Sequence, residues 1–383
     1  MKPKNQLIAG LSFNKLADLL ISAKTTLTAL LLSVGAPIWM IGWLVPIRES
    51  GALLPQVLIS IYLRKHPKRH IVWRGDVGQS LAVIGMLVSA TLLSGAKAGA
   101  CILASLVLLS LGRSACSLTV KDMEADVARK GQRGNLIGVA STVSGVITLL
   151  IAIPLALYEG AFSSNTLMVI LCVSVLAFLV TLVCVWPIKT NVELDDSSDG
   201  AMGIDFDSTV YKFIFVRGLF VHSALVAPYF MLEKSGEAQE LLPIYIGAEA
   251  LAALLSSIIW GKIADKSAKL TLQASGVLAL FACVGLLVLQ STSIVTSALL
   301  FFVLSVAHAG VRTGRKTYSL DVKDGHDRTE LVGFSNTAIG LVLLGFGAIY
   351  AALTPVLSFS VVYIMSAMLL FAIVASLILP NEK

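Results

Sequence analysis

Residues 136–145 read LIGVASTVSG, and residues 331–340 of the same chain read LVGFSNTAIG. The two stretches share Leu, Gly, Thr and Gly at matching places 195 residues apart, and Arg133 and Arg328 precede them at the same offset. Upstream matches occur at offsets of 199 and 200 residues: Arg113 with Arg312, Asp122 with Asp321, and Glu49 with Glu249. Repetition at one long period indicates two copies of one structural unit.

The repeated stretches lie in a strongly apolar sequence. Of the 383 residues, 56% are hydrophobic and 14% are charged, and the mean hydropathy is +0.86. A soluble domain has about 25% charged residues and could not hide this much apolar surface in its interior. The composition therefore excludes a soluble enzyme, a disordered chain and a disulfide scaffold, and it indicates a polytopic membrane protein.

Long apolar runs, such as residues 136–157 and 341–353, indicate spanning helices, because a barrel strand would show strict alternation. We predict an all-α membrane protein with twelve transmembrane helices in two six-helix pseudo-repeats. The spans are predicted, to within a few residues, at roughly 13–35, 37–63, 71–95, 98–120, 134–157, 165–187, 208–232, 241–262, 270–290, 293–316, 330–353 and 357–379.

The repeat offset divides the chain into halves. An offset near 200 residues corresponds to six spans, so both repeats begin on the same side of the membrane. We assign residues 1–187 to the first half, the acidic stretch 188–207 to a cytoplasmic linker, and residues 208–383 to the second half. Parallel halves of this kind form a transporter architecture, with the solute site between them near the bilayer midplane.

Cations in the predicted loops set the orientation. The loops on one side hold many lysines and arginines, whereas the loops on the other side hold only Lys97 and Lys234. The positive-inside rule then predicts that both termini are cytoplasmic. Short loops and the absence of a cleavable signal sequence predict a bacterial inner-membrane protein. The net charge of +6 reflects this topology and does not predict a nucleic-acid partner.

A motif follows the eighth predicted span: Gly261-x-x-Ala264-Asp265-Lys266-x-x-Lys269. This motif, its position and the six-plus-six repeat resemble the major facilitator superfamily of membrane transporters. The resemblance implies that Asp265, with Lys266 and Lys269 beside it, pairs with a nearby helix end and steadies the inward-closed state. The matching loop of the first half, residues 64–69, reads RKHPKR and lacks the Gly and the Asp. Its cations are suited to lipid headgroups instead.

Ionisable residues inside the predicted spans are costly in hydrocarbon, so they mark a cavity or a partner. Eight such residues are our candidates for binding solute or ions: Asp18, Lys24, Arg48, Glu49, Arg113, Arg217, Glu249 and Arg312. Glu49 and Glu249 lie at matching depth and are the candidates for carrying a proton, because a carboxylate in a low-dielectric surrounding accepts one readily. The arginines are suited to a carboxylate or phosphate, which they bind with two parallel hydrogen bonds.

Structural roles are the alternative for the same residues. Arg48 and Glu49 can form a local ion pair between Pro46 and Pro55, and Lys15 is spaced to reach Asp18. Arg113 and Arg312 can pair across helices with Asp122 and Asp321 in an inside gate. Arg74 and Asp76 are predicted at headgroup level, and His222 is predicted to be packed and hydrogen-bonded.

We predict a secondary active transporter that works as a monomer, moves a small anionic organic solute by alternating access and is coupled to protons. No Walker loop, hydrolase motif or metal-ligand spacing is present, so no cofactor and no enzymatic activity are predicted. The expected partners are solute, protons and membrane lipids. The alternatives are a lipid or lysolipid flippase on the same scaffold, a non-transporting receptor or partner subunit docked through residues 188–207, and a membrane-embedded enzyme using Asp122, Glu124 and Asp126.

Overall fold

The computed structural model describes residues 3–56, 58–59, 76–127, 133–157, 164–189, 208–289, 293–321 and 325–380. Within these ranges the regular structure is helical, with no strand. The side chains of a few helical residues, including Asp122, Asp321 and residues 133–138, lie outside the described part.

The helices before residue 190 are mostly long. In chain order they are α1 (Pro3–Leu20), α2 (Thr26–Ser33), a 3₁₀ helix (Ile38–Trp43), α3 (Leu44–Leu53), α4 (Val77–Leu92), α5 (Gly95–Val127), α6 (Arg133–Leu157) and α7 (Ser164–Val185). Pro46 lies in the first turn of α3, where its missing N–H costs no helical hydrogen bond.

The helices after residue 207 begin with three short ones. They are α8 (Ser208–Leu219), α9 (His222–Leu225), α10 (Ala227–Leu232), a 3₁₀ helix (Ser235–Glu237), α11 (Ala238–Ala264), α12 (Ala268–Val288), α13 (Ile294–Asp321), α14 (Gly325–Leu353), α15 (Val362–Ala375) and a last 3₁₀ turn (Ser376–Ile378).

Six helical stretches in the described ranges are long and apolar enough to cross a membrane: Gly95–Ser117, Thr166–Val185, Ser208–Leu232, Ala268–Val288, Ile294–Ser319 and Phe334–Leu353. Their outward faces are also apolar. Leu92, Val183 and Phe281, for example, are 75%, 71% and 65% exposed, respectively. Because water would not tolerate so continuous an apolar surface, the chain is an integral membrane protein.

Helices pack mainly with others from the same part of the chain. Before residue 190, α1 packs on α6 and α7, α5 packs on α3 and α4, and α4 also packs on α7. After residue 207, α13 packs on α11 and α12, α12 packs on α15, and α8 packs on α14 and α15.

Two seams join these groups of helices. In one seam α6 packs on α11, and a Cβ atom added at Gly145 would lie 2.7 Å from Leu254. In the other seam α14 packs on α3 and on the 3₁₀ helix before it. The glycine at position 145 therefore allows close packing of α6 on α11.

Two helix breaks occur at equivalent places. Helix α1 ends at Leu20 and helix α8 ends at Leu219, which is 199 residues later. After the first break, the amide of Leu27 donates to the Ser22 carbonyl across a tight turn. At the second break, His222 Nδ1 lies 2.7 Å from the Leu219 carbonyl oxygen and Nε2 lies 2.7 Å from the Tyr350 hydroxyl. His222 is thus packed and hydrogen-bonded, as predicted.

Serine and threonine hydroxyls in the interior often bond to their own helix. The acceptor is the carbonyl four residues earlier for a group that includes Ser12, Ser110, Thr148, Ser174, Ser275 and Ser366. These bonds satisfy hydroxyl groups in apolar surroundings without an interhelical partner.

The helix bounds correct three expectations. Helix α1 begins at Pro3, before the predicted start of the first span, and helix α5 continues to Val127 through a stretch expected to be a polar loop. Hydropathy detects only the apolar part of a helix, whereas Glu, Lys and Ala continue it beyond that part. The predicted span 208–232 is interrupted twice. In the linker 188–207, only Ile188 and Lys189 are described, and the loop 64–69 lies outside the described residues.

Candidate solute site

Asp18 bridges two arginines from other helices. Its carboxylate lies 2.7 Å from Arg48 on α3 and 3.4 Å from Arg113 on α5. Arg48 is only 5% exposed, so this charge is compensated in the interior. The alternative of local pairs had placed Asp18 with Lys15 and Arg48 with Glu49, whereas Asp18 and Arg48 contact each other. Lys15 donates instead to the Ser141 hydroxyl on α6.

Lys24 and Glu249 form an ion pair between the two groups of helices. Lys24 lies in the break after α1, and its Nζ is 3.5 Å from Glu249 Oε1 on α11. The two side chains are 15% and 14% exposed. Glu249 Oε2 is buried and has no hydrogen-bond partner within the described part of the chain. One carboxylate oxygen is thus paired and the other is left open.

Glu49 lines a small cavity between α3, α8, α13 and α14, and half of the residues at its wall are apolar. The other polar groups at its wall are Arg217, Ser223, His308 and Arg315. Four cations interact with the charge of Glu49. Lys24 precedes α2, Arg113 lies on α5, and Arg312 and Arg315 lie on α13. Glu49 therefore lies near several cations from other helices.

Arg217 enters the cavity wall from α8 without a carboxylate partner. Its side chain is buried, at 8% exposure, and it donates to Ser335 Oγ and, at 2.7 Å, to Asn336 Oδ1 on α14. Nε has no hydrogen-bond partner, and no carboxylate lies within 4 Å of the guanidinium among the described residues. The charge that acts on it is that of Arg315, which is also positive.

The interior carries more positive than negative charge. Among the described residues of this region, six cations lie near four carboxylates: Lys24, Arg48, Arg113, Arg217, Arg312 and Arg315 near Asp18, Glu49, Asp76 and Glu249. All eight sequence candidates lie in this network, although Arg312 is exposed and the matching Arg113 is only partly so. The region is suited to holding an anion.

Several residues of the region were missed from the sequence. Arg315 was counted among loop cations because α13 continues further than its apolar part, and Ser335 and Asn336 were read only as part of the repeat. Asp76 was expected at headgroup level. It is instead fully buried and bonded by Gln79 and Cys116, because α5 covers it.

The motif residues are placed at the end of α11. Asp265 follows the last residue of that helix, and Asp265 and Lys266 are both exposed. Lys269 donates to the Leu379 carbonyl at 2.6 Å and approaches the Leu377 carbonyl at 3.4 Å, so it holds a helix end in this region. The side chains of Asp122 and Asp321 lie outside the described residues, and the gate role of all five residues stays a prediction.

No family model and no curated protein matches the sequence of this chain. Solved structures match its fold over nearly the whole length. A D-xylose–proton symporter has a TM-score of 0.75 at 12% identity, covering 99% of this chain and 98% of that chain. A bacterial homologue of the iron transporter ferroportin, in an inward-facing state, has a TM-score of 0.71 at 16% identity, covering 98% of each chain.

The xylose transporter XylE from E. coli, in an inward-open conformation, has a TM-score of 0.72 at 11% identity, covering 99% of this chain and 96% of that chain. The chain has the major facilitator fold. The resemblance indicated by the repeat and the loop motif is therefore confirmed at the level of the fold.

Proposed function

We propose that the chain is a secondary active transporter of a small organic anion. It has twelve membrane helices in two halves, residues 1–187 and 208–383, that rock around a central site with both termini in the cytoplasm of a bacterial cell. The fold supports this, since the similar structures are those of sugar, peptide and metal transporters. We propose that it works as a monomer, since the two halves of one chain form both sides of a central site in this architecture.

The unpaired charge of Arg217 carries the proposal of an anionic solute. A buried cation with only neutral partners is costly, and an ion pair would offset that cost. A carboxylate or phosphate in the cavity supplies the missing counter-charge. Arg315 at the same wall adds to the attraction, and Glu49 opposite limits how much negative charge the site takes.

Proton coupling is proposed for Glu49 and Glu249. Each is a carboxylate among cations at the meeting of helices from both parts of the chain. Protonation of Glu249 removes the attraction that holds Lys24 at 3.5 Å and so loosens the contact between the break after α1 and helix α11. This links proton binding to the relative position of the halves.

Arg217→Gln tests the anion site. In proteoliposomes we expect the variant to lose at least about tenfold in uptake of the transported anion, because a charge-assisted bidentate contact is lost. Arg217→Lys keeps the positive charge but lacks the planar guanidinium, so its uptake should lie between that of the unchanged protein and that of Arg217→Gln. The matched control is Lys97→Gln, which removes an exposed cation that belongs neither to the cavity nor to the predicted gate. Lipid scrambling without solute uptake would identify a flippase instead.

Glu249→Gln tests the proton role. We expect uptake to lose its dependence on an imposed pH gradient while exchange of solute at equal pH continues, because the amide cannot carry a proton. Glu49→Gln should give the same result if both carboxylates take part. If uptake driven by the pH gradient survives in both variants, neither carboxylate carries the coupled proton.

A further inference from the structure

Asp76 is a fully buried acidic residue at the start of α4, outside the solute cavity. It directly precedes the first residue of the helix, yet its side chain makes no capping hydrogen bond to that helix. Helix α4 packs on α5 and α7. A Cβ atom added at Gly112 on α5 would lie 2.9 Å from Gln79 Cγ, so α4 and α5 are in close contact one turn after Asp76.

The hydrogen bonds of the Asp76 side chain all fall on one of its two oxygens. Oδ1 accepts from Gln79 Nε2 and, at 3.8 Å, from Cys116 Sγ on α5. Gln79 Nε2 also lies 3.7 Å from Cys116 Sγ, so the three side chains form a closed group. Oδ2 is buried and has no hydrogen-bond partner in the described part of the chain. Both donors are electrically neutral.

No described cation compensates Asp76. Within the ranges given above, no lysine, arginine or histidine nitrogen lies within 4 Å of its carboxyl oxygens. The charge that acts on it is that of Asp18 on α1, which is also negative. Arg113 on the facing helix α5 is paired with Asp18 at 3.4 Å. Helix α7 has no charged residue, and its titratable groups are the thiols of Cys172 and Cys184.

An ionised carboxylate in this place would lose its hydration without gaining a counter-charge. Two neutral donors on one oxygen and the N-terminus of α4 offset only part of that cost, because Oδ2 would remain a charged oxygen with no hydrogen bond. Binding a proton removes the charge and with it most of the cost. The proton belongs on Oδ2, since Oδ1 already faces two donors.

We infer that Asp76 is a proton-binding site of the first group of helices. In the folded chain it holds a proton on Oδ2, and this proton allows α4 to pack on α5 around a neutral group. The site is independent of the proposed anion site and of the proton role of Glu49 and Glu249, because Asp76 lies outside the cavity.

Infrared spectroscopy of the purified protein in detergent detects the proton directly, because a protonated carboxyl group has a C=O stretching band that a carboxylate lacks. At neutral pH we expect Asp76→Asn to lose such a band that the unchanged protein shows. Asp265→Asn makes the same change at an exposed residue and should retain the band. A band of equal intensity in Asp76→Asn and the unchanged protein would overturn the inference.

Isotope labelling tests the same point without a variant, and so serves even if Asp76→Asn does not fold. Aspartate whose side-chain carboxyl carries the heavy carbon isotope should move the protonated band of the unchanged protein to lower frequency. Asp18 is paired with two arginines and Asp265 is exposed, so neither is expected to hold a proton at neutral pH. If no part of the band moves, the protonated groups are glutamates and Asp76 is ionised.

Thermal unfolding at different pH values measures what the proton does for packing. The unfolded chain releases this proton near pH 4, about where a free aspartate ionises, whereas the folded chain keeps it to higher pH. Rising pH above that value therefore favours the unfolded chain. The amide of Asp76→Asn resembles the protonated acid but does not titrate. Its melting temperature relative to the unchanged protein should rise from acidic to neutral pH, and a difference that falls or stays level would contradict a bound proton.

Discussion

At the scale of single residues, Asp18 holds the first group of helices together. One carboxylate compensates Arg48 and Arg113, which come from two other helices. Removing one partner from a buried ion pair costs more than the pair contributes, because the remaining charges stay in a low-dielectric surrounding.

Asp18→Asn is therefore expected to destabilise the protein by about 3 kcal/mol or more, since the amide accepts one hydrogen bond but cancels no charge. Thermal unfolding in detergent measures the effect as a lower melting temperature. Asp265→Asn makes the same chemical change at an exposed carboxylate and should leave the melting temperature nearly unchanged. Equal shifts in the two variants would show that Asp18 has no special structural role.

The sequence predicts which residues are charged and buried, but not which ones meet. Asp18 and Arg48 are 30 residues apart, and their contact depends on how α1 and α3 are rotated about their axes. Hydropathy carries no information on that rotation inside an apolar bundle, because both faces of each helix are apolar. The spacing rule predicted only Lys15 as a neighbour of Asp18 and gave no sign of the two arginines from other helices.

At the scale of helices, the close approach of one helix to another depends on glycines at the contact. In the packing of α13 on α11 and α12, a Cβ atom added at Gly310 would lie 2.6 Å from both Ser275 and Trp260. Trp260 is held by a hydrogen bond from its Nε1 to the Val306 carbonyl and cannot readily move away. Gly345 on α14 is exposed and has nothing within 4 Å of such an atom.

Gly310→Ala is expected to cost about 1–3 kcal/mol through overpacking, whereas Gly345→Ala should be neutral or stabilise by up to about 1 kcal/mol through helix propensity. Unfolding of the two variants in the same detergent compares them directly. A Gly310→Ala protein as stable as the Gly345→Ala protein would contradict the packing described for α13.

The helices themselves were largely predictable, and their ends were not. Apolar runs located the helical segments, since about 20 apolar residues are needed to span hydrocarbon. The polar extension of α5 to Val127 and the two breaks in residues 208–232 have no hydropathy signal. Arg315 was missed although it falls within the predicted span 293–316, because it lies at the polar end of that span, among residues expected at the cytoplasmic surface.

At the scale of the whole molecule, the distribution of loop cations predicts orientation in the membrane. Ala96 lies on the side predicted to be external and Lys266 on the side predicted to be cytoplasmic, and both are exposed. With the native cysteines removed, an impermeant maleimide should label Ala96→Cys in intact cells. It should label Lys266→Cys only after permeabilisation. The reverse labelling pattern would place the termini outside.

The hydroxyl groups of the interior limit which solutes could be bound there. Serine and threonine hydroxyls, such as those of Ser110, Thr148 and Ser174, donate their hydrogen bonds to carbonyls of their own helices. Each of these hydroxyls has used its hydrogen on its own helix, so towards a sugar it can act only as an acceptor. The similarity to xylose transporters is therefore a similarity of fold. The guanidinium and ammonium groups of the interior set the chemistry of this chain's own site.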